Sequence, residues 1–191
     1  MSALETIGAS VGLVAASELG DKTQLLALSL AARFKKPAPI LAGILTATIL
    51  NHGLASSAGN WIAARVSPAL LAGLLGATFV LFGLWTLKPD DLDEPKESRW
   101  GPFATTTVLF FLAEMGDKTQ LATVALAAKF GNIWLVTLGT TLGMMAADGA
   151  AVFFGEAVSR RLGMKWIRWP AAILFFIFGG LSIYTAFAHR S

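Results

Sequence analysis

The sequence predicts an all-α integral membrane protein, with six transmembrane helices arranged as two inverted three-helix repeats. Three observations carry that expectation. Of 191 residues, 55% are apolar and only 14% charged, with a mean hydropathy of +0.64, whereas a soluble domain carries about 25% charged residues on its outside. Too little polar surface is left for water. Six apolar stretches follow one another, each near the roughly 20 residues a helix needs to cross a bilayer. The segment 17–34 also recurs, little changed, at 113–130.

The first span is expected over Leu4 to Ala32. Its leading residues carry one charge, Glu5, and lack the basic region of a cleaved signal peptide. The second runs from Pro39 to Ala64, the third from Pro68 to Leu87, the fourth from Pro102 to Ala128, the fifth from Ile133 to Val158 and the sixth from Trp169 to Ala188. Arg33 to Pro39, Arg65 to Pro68, Gly131-Asn132 and Arg160 to Pro170 punctuate them. Loops this short make neighbouring helices antiparallel. Trp61, Trp100, Trp166 and Trp169 fall near span ends, as interfacial anchors do, and Gly139 and Gly143 permit close approach by the fifth helix.

Lysine and arginine are unequally shared between the two sides. Arg33, Lys35, Lys36, Lys88, Lys96, Arg99, Arg160, Arg161, Lys165 and Arg168 lie in loops on one side; Arg65, Lys129 and Arg190 lie on the other. Ten against three places the first side in the cytoplasm and both termini outside it. The polar run Pro89 to Glu97 divides the chain into a first repeat (1–87), an acidic cytoplasmic linker (88–101) and a second repeat (102–191). That linker reads either as a solvated connection or as a mouth that attracts cations.

Residues 17–34 and 113–130 agree at 11 of 18 positions with an offset of 96. The same offset pairs Gly43 with Gly139, Gly53 with Gly149, Gly59 with Gly155, Arg65 with Arg161, Phe79 with Phe175 and Gly83 with Gly179, without a gap. A repeat of three helices enters the membrane in opposite directions in its two copies, the architecture of secondary transporters.

Each copy carries Glu-x-Gly-Asp-Lys-Thr-Gln, as Glu18 to Gln24 and Glu114 to Gln120. On a continuous helix from about Ile7, Glu18 would lie roughly 17 Å along, near the middle of a hydrocarbon layer about 30 Å thick. Ionisable groups at that depth cost at least about 2.5 kcal/mol each and mark ion or proton paths. Glu and Asp three residues apart would share a helical face, with Gln24 and Gln120 one step further. The two faces meeting would give a cage of Glu18, Asp21, Glu114 and Asp117 with amide oxygens from Gln24 and Gln120, suited to Ca²⁺ or Mn²⁺. Gly20 and Gly116 behind it serve either packing or local unwinding.

Lys22, four residues after Glu18, is an available ion-pair partner, and Lys118 repeats it. Four carboxylates and two lysines leave a formal charge that one divalent ion cancels. Two carboxylates about 5 Å apart repel by roughly 3 kcal/mol at an effective dielectric of about 20, so the empty cage is expected to hold protons. Metal and protons then compete for the same oxygens, which gives an exchange of one divalent ion for about two protons. Asn51, His52 and Asp148 are further polar groups deep in spans. Asp148 suits an extra ligand or a proton relay; His52 reads as a satisfied polar contact. Met115 and the pair Met144-Met145 could add a thioether favouring Mn²⁺, although methionine in an apolar bundle usually packs.

With the doubled Glu-x-Gly-Asp-Lys-Thr motif and the acidic central loop, the chain resembles the Gdt family of calcium/manganese cation:proton antiporters over essentially its whole length. The resemblance implies that Glu18, Asp21, Glu114 and Asp117 form the cation site. It implies export of Mn²⁺, or of Ca²⁺, from the cytoplasm, and the compact form implies a bacterial inner-membrane member.

Other classes fit less well. The absence of cysteine removes disulfides and thiolate sites, and two histidines leave little imidazole for zinc or copper. A net charge of +3 is spread over loops rather than gathered on a face, so no nucleic-acid partner is expected. A passive divalent-cation channel is the alternative in the same territory. An intramembrane aspartyl protease would share the buried aspartates but not the accompanying Glu and Lys, and a scaffold would leave the buried charges unexplained. No enzyme activity and no resident cofactor are expected. The expected partners are the divalent cation and the lipid bilayer, and a homodimer is compatible with the sequence.

Overall fold

The computed structural model describes residues 2–87, 100–161 and 164–188, without side chains at 155–168, 170, 171 and 188. Every regular element among them is a helix: α1 (Ala3–Glu18), α2 (Lys22–Phe34), α3 (Pro37–Ala63), α4 (Pro68–Thr86), α5 (Pro102–Glu114), α6 (Lys118–Phe130), α7 (Ile133–Arg161) and α8 (Met164–Ala188). Local chemistry sets the ends. A reciprocal Ser2–Glu5 capping box starts α1, and proline in the first turn opens α3, α4 and α5, where its missing N–H costs nothing. Left-handed residues, Lys35 (φ 52°) and Gly131 (φ 66°), stop α2 and α6.

Two expected spans are not continuous. In place of single helices over Leu4–Ala32 and Pro102–Ala128 there are two pairs of short helices, α1 with α2 and α5 with α6, each broken at the repeated motif. Among the described residues, Pro37–Ala63, Pro68–Thr86 and Ile133–Phe154 are long and apolar enough to cross a membrane, and Pro102–Glu114 and Ala172–Phe187 are shorter apolar helices. The starts of α2 and α6, of α3 and α7, and of α4 and α8 are each separated by the same 96 residues.

Small residues decide how these helices meet. α7 lies against α1, where a Cβ on Gly139 would come 2.7 Å from Ser10 Cβ and one on Gly143 would come 2.8 Å from the Val11 carbonyl oxygen. Gly43 brings α3 equally close to Phe103 and Thr106 of α5. α3 packs on α7 and α4 on α8. In hydrocarbon, where lipid tails are as apolar as leucine, such close backbone contact holds helices together. One apolar core joins Leu13, Phe79, Phe82, Leu126 and Phe175; a second joins Val14, Leu30, Ile44, Phe110 and Met144. Helix α1 contributes to both, α6 to the first, and α2 and α5 to the second.

Trp61, Trp100 and Trp169 are exposed, as anchors require. Most of the linker 88–101 and the side chains of Arg160, Arg161, Lys165, Trp166, Arg168 and Arg190 lie outside the described residues.

Candidate cation site

The motif is a device for interrupting a helix. α1 ends at Glu18, Leu19 is extended, Gly20 adopts φ +76°, and Asp21 is the extended residue from which α2 starts. The second copy repeats this with Met115, Gly116 at φ +76° and Asp117. Glycine enters the left-handed region without a Cβ penalty, which explains its place in the motif. Its N–H, orphaned by the break, donates to the glutamine four residues on: Gly20 N to Gln24 Oε1 at 2.8 Å, and Gly116 N to Gln120 Oε1 at 2.8 Å. Neither aspartate side chain caps its own helix, so both are available to the other copy.

The break overturns the expected shared helical face. Glu18 and Asp21 sit on opposite sides of a turn, joined by Asp21 N donating to the Glu18 carbonyl oxygen at 3.0 Å, and Glu114 and Asp117 do the same at 3.2 Å. Each glutamine oxygen holds its own turn through the glycine N–H. Gln24 Nε2 also donates to the Ala147 carbonyl oxygen at 3.4 Å, and Gln120 Nε2 to Asn51 Oδ1 at 3.0 Å, while Asn51 Nδ2 donates to the Phe111 carbonyl oxygen at 3.0 Å. Asn51 thus ties the second break to α3 and α5.

The lysines pair across the copies. Lys118 Nζ donates to Asp21 Oδ1, and Lys22 Nζ lies 3.4 Å from Asp117 Oδ1. The expected partnership of Lys22 with Glu18 is replaced, because the intervening turn takes the two residues off one helix face.

Glu18 instead accepts from Thr23 Oγ1 at 2.5 Å and, from the other copy, from Thr119 Oγ1. Both carboxylate oxygens of Glu114 lack a hydrogen-bond partner among the described residues. One oxygen from each of Glu18, Asp21 and Asp117, all buried, lies within 4.8 Å of the others. Oxygens sharing one Ca²⁺ at 2.3–2.6 Å can be no more than about 5 Å apart, so the three can hold a single hard cation. Glu114 lies within electrostatic reach of Glu18, Asp21, Asp117 and Asp148.

Asp148 is fully buried, near enough to Glu18 for their charges to interact, and neither of its carboxylate oxygens has a hydrogen-bond partner among the described residues. His52 corrects an expectation: it too is buried, with both ring nitrogens unpartnered among those residues. Met115 is exposed and Met144 belongs to an apolar core, so neither supplies a thioether to the three-carboxylate cluster. Sequence reasoning left the helix break open as one of two readings of Gly20 and Gly116, and missed the crossed ion pairs and the two threonines on Glu18. The signal for the threonines was present, since both belong to the repeated motif.

Known proteins resemble this chain along nearly its whole length. The family described as "Divalent cation/proton antiporter GDT1" matches residues 6–94 and again 102–190, two segments separated by the same 96 residues. A Vibrio cholerae protein named "Putative manganese exporter" is 41% identical over 187 residues, 96% of this chain and 92% of the relative. The "Divalent cation/proton antiporter GDT1" of Saccharomyces cerevisiae is 24% identical over 243 residues, 97% of this chain and 86% of that one. A GDT1-like protein of Synechocystis is 29% identical over 211 residues, covering 97% of this chain and all of the relative. No solved structure matches the chain.

Proposed function

Because the chain belongs to the divalent cation/proton antiporter GDT1 family, we propose that it exports Mn²⁺ from a bacterial cytoplasm in exchange for protons and accepts Ca²⁺ at the same site. The observation that carries this reading is the convergence of Glu18, Asp21 and Asp117 from two broken helices, crosslinked by lysines that each pair with the other copy's aspartate. Broken helices with a site at the break are how secondary transporters place ion-binding groups inside a bilayer.

Glu18, Asp21 and Asp117 hold the cation, and Glu114 joins them as the site closes. Asp148 is a further carboxylate that a proton occupies during the cycle. Five carboxylates and two lysines leave three uncompensated negative charges, so a divalent ion alone does not neutralise the cavity and a proton must accompany it. Gln24, Gln120 and Asn51 keep the breaks in shape. Lys22 and Lys118 hold the two aspartates in place by pairing each with the other copy.

In this reading α1 with α2 forms one crossing and α5 with α6 another, giving six crossings as two inverted repeats in the inner membrane, with both termini outside the cytoplasm. The burial of all three clustered carboxylates supports a carrier over an open pore. The test is uptake of Mn²⁺ and Ca²⁺ into inverted vesicles under an imposed pH gradient. Wild type should accumulate both ions only with the gradient, and Asp21→Asn and Asp117→Asn should each abolish both fluxes. Gradient-independent, purely downhill flux would identify a channel, and unchanged flux in both variants would remove these aspartates from the mechanism.

A further inference from the structure

The two copies share a sequence pattern but not an environment. On α2, Ser29 and Ala32 are exposed; their mates on α6, Ala125 and Ala128, are 3% and 7% exposed in the core formed with Phe79, Phe82 and Phe175. The Lys22 side chain is 27% exposed and that of Lys118 only 2%. α4 packs on α6, and α8 packs on α1. Among the described residues no comparable packing joins the mate pairs, α8 with α2 and α4 with α5.

The contact between α4 and α8 is itself symmetric. Phe79 and Phe178 stack edge to face at 5.6 Å, and the mate pair, Phe82 and Phe175, does so at 5.8 Å. The asymmetry therefore lies in where the α4–α8 pair leans: onto α1 and α6, away from α2 and α5.

A polar latch marks the closed side. Lys129 Nζ, at the end of α6, donates to Ser182 Oγ at 3.2 Å and stands 4.9 Å over the Phe178 ring. A cation over an aromatic face is attracted by the ring's quadrupole, more strongly where water is excluded. The offset of 96 assigns each partner a mate: Arg33 for Lys129, Thr86 for Ser182 and Phe82 for Phe178. These mates are in place but apart. Arg33 is exposed, with its guanidinium 5.4 Å over Phe34, and the Thr86 hydroxyl is buried with no hydrogen-bond partner among the described residues.

We propose that the protein has a second state in which the α4–α8 pair leans onto α2 and α5, Arg33 engages the Thr86 hydroxyl and the Phe82 ring, and the Lys129–Ser182 latch opens. Ser29 and Ala32 then take the buried places that Ala125 and Ala128 hold here, and their small side chains allow that approach. The inference rests on the antiport reading, because it supplies the movement that uncovers the cation site from one side and then the other. By the lysine and arginine count, the Lys129–Ser182 latch lies on the side away from the cytoplasm.

The absence of cysteine makes the test direct. Two doubly spin-labelled full-length proteins in nanodiscs, Ala38→Cys with Leu84→Cys and the mate pair Trp134→Cys with Gly180→Cys, report the distance on each side. All four positions are exposed. Between Mn²⁺-loaded and proton-loaded conditions the first distance should shorten while the second lengthens. Lys129→Met should raise the population of the second state several-fold without any ligand, and Thr86→Val should lower it. Distances that stay fixed in every condition and variant, or that change in the same direction, overturn the proposal. Flux in the same preparations separates the two claims: Mn²⁺/H⁺ exchange without reciprocal distances sinks this gate, whereas reciprocal distances without exchange uphold the gate and sink the antiport reading.

Discussion

Glu18 accepts two hydroxyl groups, one from each copy of the motif, while its mate Glu114 accepts none among the described residues. In a site this buried, hydroxyl donors fix the orientation of a ligating carboxylate, and losing such a partner typically weakens metal affinity by about 10- to 100-fold. Thr119→Val should therefore raise the KM for Mn²⁺ by roughly that factor with a smaller change in kcat, measured as initial uptake against Mn²⁺ concentration. Thr23→Val should do the same. Glu18, Asp21, Glu114 and Asp117 stood out in the sequence because charge inside an apolar run has no inexpensive explanation, and the structure brings the oxygens of three of them, Glu18, Asp21 and Asp117, together. Their partners did not stand out. Lys22 was read as a neighbour of Glu18 on one helical turn, and the turn that separates them sends Lys22 to Asp117.

At the scale of the element, the break depends on a backbone conformation that only glycine adopts freely. A Cβ on Gly116 would meet nothing within 4 Å, so Gly116→Ala isolates the backbone penalty from any clash. It should destabilise the protein by about 1–3 kcal/mol, read as a lowered Tm in detergent. Lys35 is the converse case: it holds φ 52° where its mate is Gly131, so Lys35→Gly should raise Tm by relieving about 1 kcal/mol of strain. Hydropathy conceals these breaks, since apolar residues resume on both sides of each motif. Gly20 could be read as a packing residue or as an unwinding point, and only the partner for its freed N–H, Gln24, decides between them. The boundaries of α3 and α4 were better marked, by prolines in their first turns.

Across the whole molecule, the offset of 96 predicted which helices would correspond, and the starts of α2 and α6, α3 and α7, and α4 and α8 obey it, while α1 and α5 start 99 residues apart. The leaning of α4 and α8 toward one side was not legible, because a repeated pattern does not itself say which copy is closed. An exchange of one divalent ion for two protons moves no net charge. Mn²⁺ uptake into proteoliposomes should then be driven by the pH gradient and be insensitive to an imposed potassium-diffusion potential; strong voltage dependence at every pH would exclude that stoichiometry.

Equilibrium binding of Mn²⁺ to the purified protein addresses most directly whether acidic groups from both copies share one ion. Wild type should bind one Mn²⁺ per chain. Asp21→Asn and Asp117→Asn should each remove that same site, and the double variant should be no worse than either alone. Two Mn²⁺ per chain, with each substitution deleting one and sparing the other, would mean that the two broken helices bind separately, and the shared site would have to be abandoned.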